Sequence, residues 1–179
     1  MKKIGSMRIF LCLIISFLLT SCGSIFVDYD YDKEVAFQNY TSYNYNDSEG
    51  NELSEFDQQR YEKYTDSLLQ TKGLVRAENP DLWITTTTKS YEVASRNTLG
   101  VGIGGGGRSG GVSVGGGIPI GGRQEQLELA IDFYDAHTQQ YVWQAYTESS
   151  RKQNITPPER DIYFQKLLTK VYSKYPPKN

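Results

Sequence analysis

The sequence is short of the residues from which most enzyme centres are built. Its 179 residues include two cysteines, Cys12 and Cys22, and one histidine, His137. One histidine does not make a multi-histidine zinc centre, and no G-x-S-x-G elbow is present to offer it a nucleophile. An excess of positive charge is missing too. Nineteen Lys+Arg stand against 21 Asp+Glu, a net charge of −2, which argues against nucleic acid, whose phosphates need a basic footprint. The one long apolar run, Ile9 to Leu19, is too short for a stable membrane span. What the chain does have is tyrosine, 14 in all, and glycine, 17 in all.

The apolar run follows Lys2, Lys3 and Arg8 and ends in Leu19-Thr20-Ser21-Cys22. Charge, apolar run and small residues before a cysteine have the form of a bacterial lipoprotein signal. Residues 1–21 are therefore expected to be removed and Cys22 to be acylated. Two or three acyl chains hold a protein at a membrane essentially permanently, at about 0.8 kcal/mol per buried methylene. Residue 23 is Gly; an aspartate there would resemble an inner-membrane retention signal, so the outer membrane is expected. No acidic cluster follows Cys22 to suggest surface export, so the domain is expected to face the periplasm. Losing Lys2, Lys3 and Arg8 leaves 16 Lys+Arg against 21 Asp+Glu, a net charge of −5, which gives no electrostatic grip on anionic lipid. Cys12 leaves with the signal and Cys22 is acylated, so no thiol remains for a disulfide, a metal or a nucleophile.

Residues 22–179 suffice for a single domain with its own core. Val27, Tyr29 and Tyr31 alternate with Asp28, Asp30 and Asp32 as in a half-buried strand, and Tyr40, Tyr43 and Tyr45 suggest a second. Asn46 to Asn51 reads as a turn. Ser54 and Asp57 resemble a capping box, followed by Tyr61, Tyr64, Leu68 and Leu69 at helical spacing and a stop at Gly73. Leu82 to Tyr91 is β-branched and aromatic, hence a strand. Leu127, Leu129, Ile131 and Phe133 alternate with Glu128, Ala130, Asp132 and Tyr134, the clearest strand of the chain. A turn over Asp135 to Gln140 leads to a hairpin partner at Tyr141 to Thr147. Thr156 and Glu159 form a second capping box with Pro157 at the first helical position. Phe164, Leu167, Leu168, Val171 and Tyr175 give that helix one apolar stripe, and Pro176-Pro177 ends it. The expected fold is α+β: a mainly antiparallel sheet with two helices packed on one face and a glycine-rich loop or hairpin inserted at 100–122.

Several of these stretches, in this order, resemble the bacterial lipoproteins grouped as domain of unknown function 4136. They are the acidic-aromatic first strand, Tyr40-Tyr43-Tyr45, Asn79-Pro80-Asp81-Leu82, the glycine-rich insertion, Leu129 to Asp132 with Asp135-Ala136-His137-Thr138 and Val142-Trp143, and the closing Tyr175-Pro176-Pro177. Where such hairpins commonly turn on glycine, this chain has Gln139-Gln140. The resemblance implies an anchored periplasmic α+β domain and carries over no catalytic residue.

Four features invite a site. Residues 100–122 hold 13 of the 17 glycines and contain a G-x-G-x-x-G (Gly100, Gly102, Gly105) and a near-miss of a phosphate loop with Arg108 where Lys is needed. A nucleotide loop must lead into a helix N-terminus; here Ile118-Pro119-Ile120 and a strand follow, so no nucleotide is expected. Val101/Ile103, Val112/Val114 and Ile118/Ile120 instead sit two apart, as in a glycine-rich hairpin, with docking on a partner or the membrane as the functional variant. Asp28-x-Asp30-x-Asp32 begins like a calcium loop, but its sixth position is Lys33 and its twelfth is Asn39, so no metal is expected. His137 beside Asp135 reads as a polar turn residue rather than a base. Trp83, Trp143 and most tyrosines read as sheet and core rather than a carbohydrate platform. The expectation is a non-enzymatic, lipid-anchored envelope protein with a binding or structural role, no cofactor and an envelope protein partner; the alternative is a small envelope hydrolase or cell-wall-binding module.

Overall fold

The computed structural model describes residues 25–46, 50–93, 98–100, 117–119 and 123–178. Residues 1–21, Cys22, part of the turn at Asn46–Asn51 and most of the glycine-rich tract lie outside the described residues. The elements run β1 (Ile25–Tyr31), a 3-10 turn (Phe37–Asn39), β2 (Ser42–Tyr45), α1 (Glu55–Gln70), β3 (Val75–Arg76), β4 (Leu82–Val93), β5 (Thr98–Gly100), β6 (Gly117–Pro119), β7 (Gln124–Asp135), β8 (Tyr141–Lys152) and α2 (Pro157–Tyr172). Six strands form one sheet in the order β1-β8-β7-β4-β2-β3. The long ladders are antiparallel, whereas β2 runs parallel to both β3 and β4. The fold is thus α+β with a mostly antiparallel sheet.

Alternation decides the faces. Leu127, Leu129, Ile131 and Phe133 of β7 are all buried, opposite Ile84, Thr86 and Thr88 of β4 and Trp143, Ala145, Thr147 and Ser149 of β8. Both helices cover this face. Tyr61 and Leu69 of α1 and Phe164, Leu167, Leu168, Val171 and Tyr172 of α2 join the same buried cluster. One end of the core is aromatic, with Phe133 against Trp143 at 5.1 Å and Tyr175 against both at 5.0 and 5.4 Å between ring centroids.

Helix ends follow the expected chemistry with one correction. Thr156 N–H and Oγ1 both donate to Glu159 Oε2, at 2.7 and 2.8 Å, and Pro157 opens α2. At α1, Ser54 Oγ accepts from Asp57 N–H at 3.3 Å, but the Asp57 carboxylate does not reach back. It turns into the core instead, where arginines hold it at shorter range. Gly73 has φ +86°, a left-handed conformation that glycine adopts without a Cβ penalty, and so ends α1.

Four further expectations are corrected. Strand β8 runs five residues past Thr147 to Lys152, because Ser149 and Arg151 are buried on hydrogen bonds rather than apolar contacts. Strand β2 begins at Ser42, leaving Tyr40 outside it. Tyr175 is buried but lies beyond the end of α2 at Tyr172. Strand β1 ends at Tyr31, so Asp32 sits in the following turn and accepts from Glu34 N–H at 2.9 Å rather than sharing a face with Asp28 and Asp30.

Candidate functional site

The turn that carries His137 is built by its neighbour. Asp135 Oδ1 accepts from the backbone N–H groups of His137 and Thr138, both at 2.8 Å, and Oδ2 accepts from Tyr40 Oη at 3.0 Å. Burial pushes the Asp135 carboxyl up, but these donors together hold it below the usual range. Asp135 is therefore committed to the turn and to Tyr40, not to orienting an imidazole. Asp81 has the same kind of duty: it accepts from Thr41 N–H, Thr41 Oγ1 and Ser42 N–H at 2.9–3.0 Å, and the Thr41 N–H and its neighbours hold its carboxyl low. The two clasps meet where Ala136 N–H donates to Asp81 O at 2.9 Å.

A buried charge cluster closes the opposite end of the core. Asp57 meets Arg60 at 2.9 Å, Arg160 at 2.7 Å and Arg151 at 3.5 Å. Arg151 forks onto Glu125, Nε to Oε2 at 3.0 Å and Nη2 to Oε1 at 2.9 Å, with Tyr163 beneath it at 5.3 Å. Burial raises the Glu125 carboxyl, and the Arg151 fork, with Ser90 Oγ, brings it back below the ordinary value. All these residues pair with one another, so the cluster locks α1, α2, β7 and β8 together. Sequence reading missed it because its members lie far apart in the chain.

The remaining expectations divide. Asp28 and Asp30 face solvent from β1 and each accepts from the following backbone N–H at 2.9 Å; among the described residues no group of three or more His, Cys, Asp or Glu side chains is placed to hold a metal ion. The flanks of the glycine-rich tract pair as an antiparallel two-stranded ribbon, Thr98 to Pro119 and Gly100 to Gly117. These flanks pair as the two arms of a hairpin do. Gly102 and Gly105 lie outside the described residues. Trp143 is buried in the core, and Trp83 is half-buried on the opposite face.

That opposite face is the candidate site. No helix covers it. Register places Trp83, Tyr134 and Tyr141 in one row, Asp132 and Gln144 with Asp30 in the next, then Ala130, Tyr146 and Asp28, then Lys89, Glu128, Glu148 and Phe26. Phe26 is 57%, Tyr141 65%, Tyr146 38% and Tyr91 41% exposed. Five carboxylates share the face with one lysine in these rows. The Tyr146 hydroxyl feels them: burial and the charges of Glu128 and Glu148 push it up to about 12. Burial alone raises the Asp132 carboxyl at the centre of the face. The strands thus present an aromatic and acidic surface.

A mixed sheet with both helices on one side defines a one-sided α+β domain. The family model described as "Domain of unknown function (DUF4136)" matches residues 27–177, and the chain belongs to that family. Among solved structures it is similar to a PDZ domain protein from Parabacteroides distasonis, with a TM-score of 0.53 and 14% identity over 93% of this chain; it spans only 39% of that protein's length. It is also similar to a subunit of the PelC dodecamer from Paraburkholderia phytofirmans, with a TM-score of 0.49 and 15% identity over 84% of this chain and 96% of that one. No curated protein matches the chain significantly.

Proposed function

We propose that this chain is a lipid-anchored envelope protein, held by acylated Cys22 at the inner leaflet of the outer membrane, whose domain binds and does not catalyse. One observation carries the reading: an uncovered sheet face on which exposed Phe26, Tyr141 and Tyr146 lie among five carboxylates. Aromatic rings supply contact area at little entropic cost, and a one-signed field selects a partner of opposite charge. The occupant is a protein of the envelope presenting a basic surface. Only Gly23 and Ser24 separate Cys22 from Ile25, so an anchored β1 starts within about 10 Å of the bilayer. Commitment of Asp135 to Tyr40 and to its own turn supports the non-catalytic part.

The test joins fractionation to site-directed crosslinking in envelopes. Cys22→Ala releases the chain to the soluble fraction or leaves an uncleaved precursor. A photocrosslinker at Tyr146 captures an envelope protein, whereas one at Ile162, 50% exposed on α2, does not. Unchanged membrane attachment of a Cys22→Ala chain whose signal has been cleaved, or equal capture from both positions, overturns the reading. The exposed rings also favour a second reading, a cell-wall glycan module. Retention on purified sacculi that is lost in Tyr141→Ala selects it.

A further inference from the structure

Three segments distant in sequence enclose a cavity of 430 Å³ at the aromatic end of the core: the turn after β1, the end of α1 and the C-terminal tail. Phe37, Leu74, Tyr175, Pro176 and Pro177 supply apolar walls. The volume lies within the range of about 300–1,000 Å³ that small-molecule sites occupy. One wall carries a charge. Lys72 follows the last turn of α1 and lines this cavity half-buried, and among the described residues its ammonium has neither an ion pair nor a hydrogen bond.

Among the described residues Lys33, Lys89, Lys152, Lys166 and Lys178 also lack an ion pair, but they are exposed, whereas Lys72 is half-buried. Arg60, Arg76, Arg151 and Arg160 each hold a carboxylate within 4 Å. Among the described residues no carboxylate lines the cavity beside Lys72. Burial lowers the Lys72 ammonium from its ordinary value, with no carboxylate acting to restore it. A desolvated cation wants a counter-charge. The cleft beside Arg76, 490 Å³ and lined by Asn51, Gln58 and Glu62, is the contrasting case, because its polar groups bond one another in a chain from Asn51 through Gln58 and Glu62 to Arg76.

We propose that the cavity is a binding site for a small amphipathic carboxylate, with the carboxylate on Lys72 and the apolar body between Phe37, Leu74 and the Tyr175-Pro176-Pro177 segment. A single ammonium is a point charge suited to one anionic group, whereas phosphate recognition favours arginine forks or nests of backbone N–H groups. Among the described residues the walls have no second cation for a dianion. This site is separate from the open sheet face and stands or falls independently of it.

The experiment is a backbone-amide NMR titration of the purified full chain in non-ionic detergent, with 3-phenylpropionate as the acid and 3-phenylpropan-1-ol as its neutral counterpart. Saturable shifts are expected at the amides of Gln38, Gly73 and Leu74. The acid should bind about tenfold tighter than the alcohol, the equivalent of one modest ion pair. Lys72→Met should abolish that preference with an unchanged melting temperature, and Lys72→Arg should keep it. Absence of saturable shifts at these amides, equal affinity for acid and alcohol, or a preference that survives Lys72→Met overturns the proposal.

Discussion

Strands β4, β7 and β8 show one face to two helices and the other to water, and the two faces handle polarity in opposite ways. On the covered face charge is tied down: Arg151 is locked onto Glu125, and Thr86 Oγ1 donates to Tyr61 Oη at 2.8 Å, while a few neutral groups such as the Thr147 hydroxyl and the Trp143 indole N–H are buried without a hydrogen bond among the described residues. On the open face polarity is left in surplus, with Asp28, Asp30, Glu128, Asp132 and Glu148 crowding a single lysine, and Glu128 standing directly across from Glu148. Like charges opposite each other weaken a sheet. A domain selected for stability alone would not keep that pair, whereas a surface that meets a cationic partner gains from it. The covered face makes the fold, and the open face is free to be spent on recognition.

The largest expected effect breaks this asymmetry directly. Ile131→Asp places a charge at a fully buried position of the central strand. It should cost several kcal/mol, of the order of the roughly 5–15 kcal/mol that hold a typical domain. Thr87→Lys, on the open face of the neighbouring strand, should change stability by no more than about 0.5 kcal/mol. Thermal melts compare the two; a cooperative wild-type melt for Ile131→Asp would mean that the faces are assigned the wrong way round.

Next comes the ionic end of the covered face. Asp57→Ala leaves Arg151 and Arg160 short of a partner and should cost about 3 kcal/mol, the lower end of what breaking a buried pair costs. Chemical denaturation measures it, and a loss below 1 kcal/mol would show that the cluster is solvated.

Smaller effects come from the clasps and turns, which leave both faces intact. Asp81→Asn gives up charge-assisted acceptance from Thr41 and Ser42 and should cost about 1.5 kcal/mol at neutral pH. The Asp81 carboxyl is held low in the folded state, so its contribution is present above the unfolded value near 3.8 and disappears as pH falls through the folded one. The gap between wild type and Asp81→Asn should therefore shrink below pH 4; a constant gap down to pH 2 contradicts the assignment. Smallest is Gln139→Gly. Gln139 has φ 57°, in the left-handed region. Relief of that strain, offset by the entropy of glycine, should raise stability by about 0.5 kcal/mol, read as a shift of a few degrees in melting temperature.

Much of the covered face is legible in the sequence because alternation and helical spacing act over adjacent residues. Leu127 to Phe133 and the stripe from Phe164 to Val171 fall where their periods place them. Legibility ends where a polar residue is buried by a partner far along the chain. Asp57 and Thr65 belong to the inward stripe of α1, and Ser149 and Arg151 to that of β8, yet nothing local distinguishes them from surface residues. Strand order is hidden for the same reason: the parallel placement of β2 beside β4 depends on Asp81 reaching Thr41 and Ser42, a pairing across 40 residues. Of the candidate sites, the tyrosines and acids were visible as residues but not as one surface, and Lys72 carried no signal because its distinction is the absence of a neighbour.

The ladder between β4 and β7 stays paired up to Val93 and Gln124, which fixes the mouth of the glycine-rich insertion before any of its residues are considered. A loop whose ends are already held at ladder distance adds little closure cost as it lengthens, about 0.6 kcal/mol per doubling. Its length is in that sense thermodynamically silent. The insertion can grow, shrink or change composition while the sheet that frames it keeps its register. The same end of the sheet is where β1 begins, since Ile25 pairs with Ser149 and Ser149 with Leu127, so the mouth of the insertion and the start of the domain share one pole.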